Sequence, residues 1–127
     1  MKIVLASDSY KGSLSSTQVN NIVAQQAQKV FGKCDIKKVQ MADGGEGTLA
    51  AVLETDKDYR KVKVKVSDPL GNVITASYIM KKDVAVIEMA EASGLTLVPS
   101  KLRNPLNATS KGTGQLIADA LKNGAVN

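Results

Sequence analysis

Histidine is absent from this 127-residue sequence, and so is tryptophan. Without histidine there is no imidazole base, no His-centred triad and no His metal site. Any chemistry must run on carboxylates, Lys and Arg, hydroxyls and backbone N–H groups. Aromatic residues make up only 3%, with Phe31 the single Phe. Base-stacking platforms are therefore scarce, and no Arg/Lys cluster reads as a groove-binding helix, so no nucleic-acid partner is expected. The one cysteine, Cys34, permits no internal disulfide and fits a reduced thiol in the cytoplasm. No long hydrophobic run occurs. The opening Ile3-Val4-Leu5-Ala6 is too short to span a bilayer and does not read as a secretory leader, so no membrane partner is expected either.

What remains is an aliphatic chain with 43% hydrophobic and 23% charged residues, an ordinary globular balance. Its core must be built from Val, Ile, Leu, Ala and Met, which suits a buried sheet flanked by helices. The net charge is +5, distributed unevenly: residues 1–60 carry 8 basic and 7 acidic groups, residues 61–127 carry 9 and 5. A mild basic excess of this kind suits a small anionic ligand.

Two strand–loop–helix units open the chain. Lys2 to Ala6 reads as a buried strand, followed by the polar loop Ser7 to Ser13. Ser15 and Gln18 form a capping-box pattern ahead of a helix over 16–31. Val19, Ile22, Val23, Ala27, Val30 and Phe31 recur at helical spacing, and Gly32 stops the helix. A second strand, Ile36 to Met41, leads through Ala42-Asp43-Gly44-Gly45-Glu46-Gly47 into a helix over about 48–54. Two such units in succession predict a parallel sheet, with both loops at the carboxyl ends of neighbouring strands. Asp8 and Lys11 would then face Asp43 and Glu46 across one crevice.

The pattern changes near residue 59. Arg60 to Val66 alternates apolar and basic, the signature of a strand with one wet face. Lys61, Lys63 and Lys65 read as solvated and edge-protecting rather than as a binding patch. Asp68-Pro69-Leu70-Gly71-Asn72 and Lys81-Lys82-Asp83 are turn signals in a meander of strands over 60–66, 73–80 and 84–89. Glu88 and Glu91 bracket the end of the last of these. Pro99 and Pro105 frame an irregular segment containing Arg103, a candidate clamp for a small carboxylate. Thr109 to Gly114 then opens a helix closed by Gly124. Hydroxyls, a Lys and two glycines at a helix start suit phosphate or carboxylate, though plain capping by Thr109 or Ser110 explains them as well. The glycine spacing of a Walker A loop is missing. The loops together point to a small anionic, phosphoryl-bearing ligand without identifying it.

Four motifs, in order and in spacing, resemble the glycerate kinase family of the bacterial glycerate 2-kinase type. They are Ser7 to Ser15, Met41 to Thr48, Glu88 to Leu95, and Arg103 to Leu106 with Thr109 to Gly114. Ser7 stands where that family commonly has Pro, and Tyr10 where Phe is usual. The resemblance implies transfer of the ATP γ-phosphoryl group to a hydroxyl of D-glycerate with Mg²⁺, in a cleft between two α/β domains. It implies a Rossmann-like first domain (here 1–58) into which a second, mixed-sheet domain is inserted (here 59–127). Asp43 and Lys11 become the catalytic candidates. Asp8, Ser9, Ser13, Gly44, Gly45, Glu46, Arg103, Ser110, Gly112, Thr113 and Gly114 become candidates for holding substrate, with no metal ligand assigned. Family members are much longer, and a glycine-rich, Asn-Asp-containing segment expected just past Gly124 is missing. The expectation is therefore an N-terminal portion, inactive alone; a non-catalytic α/β module that binds small anions or a protein partner is the alternative.

Overall fold

A computed structural model describes residues 1–10 and 12–127. The chain divides into two compact units, Met1–Glu54 and Thr55–Asn127. It is a mixed α/β protein with one parallel and one separate antiparallel sheet.

In the first unit β1 (Lys2–Leu5) and β2 (Asp35–Lys38) pair in parallel, with Ile3 opposite Ile36 and Leu5 opposite Lys38. Parallel strands need a crossover, and α1 (Ser16–Phe31) supplies it. The capping box forms as expected: the Gln18 amide donates to Ser15 Oγ (3.3 Å) and the Ser15 amide to Gln18 Oε1 (2.8 Å). Gly32, at φ 67°, ends the helix. A second helix, α2 (Thr48–Thr55), follows the acidic glycine loop.

Two expectations need correction here. The second strand stops at Lys38 rather than Met41. Beyond the Val39 amide, which donates to the Leu5 carbonyl (2.8 Å), side chains of α1 replace backbone partners. The apolar stripe of α1 is also only partly covered: Val19 is buried, whereas Ile22, Val23, Val30 and Phe31 are exposed. Two short strands offer too little surface for a four-turn helix.

The second unit is a meander of β3 (Arg60–Ser67), β4 (Val73–Lys81) and β5 (Val84–Val86). Its sheet is antiparallel throughout the described residues, not mixed, because tight turns join consecutive strands. The first turn is built on Asp68, whose Oδ1 accepts from the Leu70 and Asn72 amides (both 2.8 Å) and whose Oδ2 accepts from Asn72 Nδ2 (3.0 Å). These bonds, the Asn72 side chain foremost, hold its carboxyl below the usual carboxylate range. The third strand is shorter than expected, because Met89 already caps the four-residue helix α3 (Ala90–Ser93). Beyond the last β4–β5 pair, Ile79 with Val86, the Ser77 amide donates instead to Glu91 Oε2 (3.0 Å). Glu88 is buried.

The Pro-framed segment forms three short 3-10 turns, Leu95–Leu97, Ser100–Leu102 and Pro105–Asn107, before α4 (Lys111–Lys122). Gly124, at φ 91°, follows that helix. Val66, Ala76, Tyr78 and Met80 on one sheet face pack with Ala92 of α3 and Leu116 and Ala120 of α4. The Tyr78 hydroxyl donates to Asp119 Oδ2 (3.0 Å) and accepts from Asn123 Nδ2 (3.2 Å). Burial, then the Asp119 carboxylate, raises its pKa.

Candidate active site

Both loops of the first unit leave the carboxyl ends of adjacent parallel strands, where strand ends and helix starts converge. The loop after β1 is closed by a short bridge. The Tyr10 amide donates to the Leu14 carbonyl (2.8 Å), and the Ser13 and Leu14 amides donate back to that of Tyr10 (2.9 and 3.1 Å). Gly12 lies at φ 72°, a conformation side chains resist. Asp8 Oδ1 accepts from the Ser9 amide (2.6 Å). Lys11, the expected phosphate-balancing cation, lies outside the described residues.

The loop after β2 turns through Gly44 at φ 95° and Gly47 at φ 94°. Asp43 Oδ1 accepts from the Gly45 amide (2.8 Å), which orients the carboxylate. Gly45 is close to the acid in another way: an added Cβ would lie 2.9 Å from that same Oδ1 and would push the carboxylate aside. Thr48 Oγ1 donates to the Gly45 carbonyl (2.8 Å), tying the turn to the start of α2.

The two loops share the walls of a cavity of about 230 Å³, with Ser9, Gly12 and Ser13 on one side and Gln40, Glu46 and Gly47 on the other. That is below the usual range for drug-sized ligands and leaves room for a small polar molecule. Of the expected residues, Ser9, Ser13 and Glu46 therefore lie on one wall system. Asp8, Asp43, Gly44 and Gly45 belong to the same loops but are not among the lining residues. Gln40 and Ser16 line the cavity without having been expected there. Gln40 is one of three polar residues between Ile36 and Met41, with Lys37 and Lys38, so nothing in the sequence singled it out. Ser16 read simply as the first residue of a helix.

In the second unit, the start of α4 is organised by packing. The Lys111 amide donates to Thr109 Oγ1 (3.1 Å), so Thr109 caps, while the Ser110 side chain makes no capping bond. Gly112 is buried, and an added Cβ would collide with the Ser67 carbonyl oxygen and press on Ala92. Its lack of a side chain is what lets α4 rest on β3. Thr113 Oγ1 sits 2.7 Å from Ser93 Oγ on α3, and the Ser67 amide donates to Gln115 Oε1 (2.7 Å). Ser110 and Gly114 are exposed. Arg103 is exposed too, with Nε donating to the Val98 carbonyl (3.2 Å).

Lys81 lies 2.7 Å from Asp56 and 3.1 Å from Asp58, with its ammonium 5.8 Å from the Tyr59 ring centroid. The hydrogen bond to Asp56 raises the Lys81 pKa and lowers that of Asp56. This cluster ties the start of β3 to the end of β4. Among the described residues, no group of three or more Cys, Asp or Glu side chains is placed to hold a metal ion. Nor is any helix among them long and apolar enough to cross a membrane.

The sequence pattern of the glycerate kinase family matches residues 3–127. A glycerate kinase of Halalkalibacterium halodurans is 44% identical over 124 residues, covering 96% of this chain and 32% of that protein. A glycerate 2-kinase of Escherichia coli K12 is 44% identical over 129 residues, covering 100% of this chain and 34% of its own. Among solved structures, a protein of Salmonella typhimurium LT2 assigned as glycerate kinase 2 superposes with a TM-score of 0.67. It is 46% identical, and the match covers 98% of this chain and 34% of that one. The chain spans about a third of the length of the curated relatives it matches.

Proposed function

The chain belongs to the glycerate kinase family, and from that premise we propose that the protein carrying it transfers the γ-phosphoryl group of ATP to a hydroxyl of D-glycerate. The observation that carries this reading is the cavity of the first unit. Two of the four motifs that resemble the family, distant in sequence, meet on it at the carboxyl ends of two parallel strands. Its size suits a three-carbon acid. In this reading β1, α1 and β2 begin a Rossmann-like domain over 1–58, residues 59–127 begin an inserted one, and the protein works in the cytoplasm.

Phosphoryl transfer asks a protein for positioning and charge neutralisation more than for covalent chemistry. The bond from the γ-phosphorus to the bridging oxygen breaks while a glycerate hydroxyl oxygen bonds to phosphorus, and the hydroxyl proton must leave. Asp43, oriented by the Gly45 amide, is the group we assign to orient that hydroxyl and accept its proton. Ser9, Ser13 and Glu46 on the cavity wall, with Asp8 beside them, would hydrogen-bond the substrate, and the bare Gly44-Gly45 backbone would permit its close approach. Lys11 would balance phosphate charge. In the second unit, Arg103 and the α4 start, through Ser110, Gly112, Thr113 and Gly114, would hold carboxylate or phosphate oxygens. The exposed carboxylates of Asp8, Asp43 and Glu46 are the groups that would hold a nucleotide-bound Mg²⁺, which needs only one or two of them and would supply charge neutralisation at the phosphates.

The test is ADP release with D-glycerate and Mg-ATP, by a protein of the relatives' full length and by the 127-residue chain. We expect turnover from the former, and a loss of about a hundredfold or more in kcat for Asp43→Asn. Full activity in Asp43→Asn removes the assigned role. That the chain spans only a third of its relatives favours a second reading of the short form, binding of small anions without turnover. Saturable glycerate binding without ADP production would support that reading.

A further inference from the structure

Two polar side chains on α1 are almost fully buried, Ser16 at 4% and Asn20 at 2% exposure. They lie one turn apart, on the same face of the helix. Asn20 Oδ1 accepts from the Ser7 amide (3.3 Å), while Asn20 Nδ2 donates to the Val39 carbonyl (2.9 Å). Ser16 Oγ donates to the Ser7 carbonyl (2.6 Å) and accepts from the Met41 amide (3.3 Å). Ser7 is thus held at both its N–H and its C=O, and each side chain bridges the loop after β1 to the loop after β2. The bridging begins where the β1–β2 ladder has run out.

Ser7 and Val39 are half-buried and Met41 is exposed, whereas the two side chains that hold them are almost wholly buried. Burying an amide side chain is costly unless all its bonds are made, and here they fix a distance between two loops. Asp8 follows Ser7 directly, and Asp43 lies two residues past Met41. Because Ser16 has committed its proton to Ser7, it touches the cavity without offering a hydroxyl hydrogen to a ligand.

We propose that Ser16 and Asn20 are positioning residues for phosphoryl transfer: they set the separation of the two loops, and through it the rate of the chemical step rather than the affinity for glycerate. This rests on the function proposed above. The test uses the complete protein and four forms, unaltered, Ser16→Ala, Ser16→Thr and Asn20→Ala, with two readouts. One is amide hydrogen exchange at Ser7 and Met41; the other is kcat and KM for glycerate.

We expect Ser16→Ala to speed exchange at Met41 and lower kcat about tenfold, and Asn20→Ala to speed exchange at Ser7 and lower kcat about a hundredfold. KM should stay within about threefold in both, since these bonds are made to backbone and not to substrate. Ser16→Thr, which keeps the hydroxyl, should restore both readouts. Loosened amides with an unchanged kcat overturn the proposal, because the bonds would then be merely structural. A higher KM at constant kcat overturns it as well, as does a lower kcat with unchanged exchange. If Asn20→Ala does not fold, Ser16→Ala, which removes a single oxygen, decides. An unaltered protein that fails to phosphorylate glycerate sinks the function and this inference together, whereas an active one with unaffected variants sinks the inference alone.

Discussion

In Thr55–Asn127 the inward face of the sheet, Val66, Ala76, Tyr78 and Met80, is apolar apart from one hydroxyl, and Leu116 and Ala120 of α4 cover it. In Met1–Glu54 the helix that covers the sheet turns inward two apolar residues, Val19 and Ala24, and two polar ones, Ser16 and Asn20. The antiparallel unit is held by exclusion of water, and the parallel unit relies more on hydrogen bonds aimed at loop backbone. Apolar burial is strong but non-directional, so it stabilises without placing anything sharply. Hydrogen bonds contribute less each and fix geometry. The unit that carries the cavity is the one built with the directional interaction.

The largest expected effect tests the apolar side of this contrast. Leu116→Ala removes a side chain with no exposed surface and should cost about 3–5 kcal/mol, read from urea unfolding followed at Tyr78 and Met80 amides. Val19→Ala in the parallel unit should cost only about 1.5 kcal/mol, and equal losses would erase the distinction. A paired glycine experiment comes next. Gly112→Ala drives a methyl into a strand carbonyl and should destabilise by about 2–3 kcal/mol. Gly45→Ala meets only the end of the Asp43 side chain, which can swing away, so the fold should hold while kcat falls about tenfold. A destabilised Gly45→Ala would show that the acidic loop bears structural weight instead. The smallest effect is in acid. The Asp68 carboxyl is held below its unfolded value, so its contribution is complete above the unfolded pKa and fades as pH falls through the lowered one. Asp68→Asn should lower the neutral plateau of the stability–pH curve slightly and flatten its fall in acid, so that urea unfolding of the two proteins converges below the lowered pKa.

Elements were legible wherever local chemistry decided them. Ser15 with Gln18 and then Gly32 marked α1 over residues 16–31 as found, and the alternation of Val62, Lys63, Val64 and Lys65 marked a strand with one wet face. Strand ends were not legible, since past the Val39 amide the Val39 carbonyl and the Met41 amide take their partners from α1 side chains rather than from β1. The exposed flank of α1 failed for a related reason, because periodicity reports an apolar stripe and not how much surface awaits it. At the candidate site, the loops and their placement could be read, and Ser9, Ser13 and Glu46 reached the cavity. Gly112 shows that a glycine at a helix start has more than one possible reason: beside the anion reading stands a carbonyl 45 residues earlier in sequence that leaves no room for a Cβ. Asn20 was invisible, as one polar residue in a helix full of them.

The carboxylate of Glu91 has a consequence for life at high concentration. By occupying the Ser77 amide where β5 has stopped, it plugs a ladder position that a foreign strand would otherwise seize. A stranger arriving at the other margin meets β3, with Lys61, Lys63 and Lys65 on one face. A second copy docking there would have to set ammonium groups against ammonium groups. Among the described residues an acid thus occupies one margin of this sheet and bases line the other, each raising the cost of adding a foreign strand.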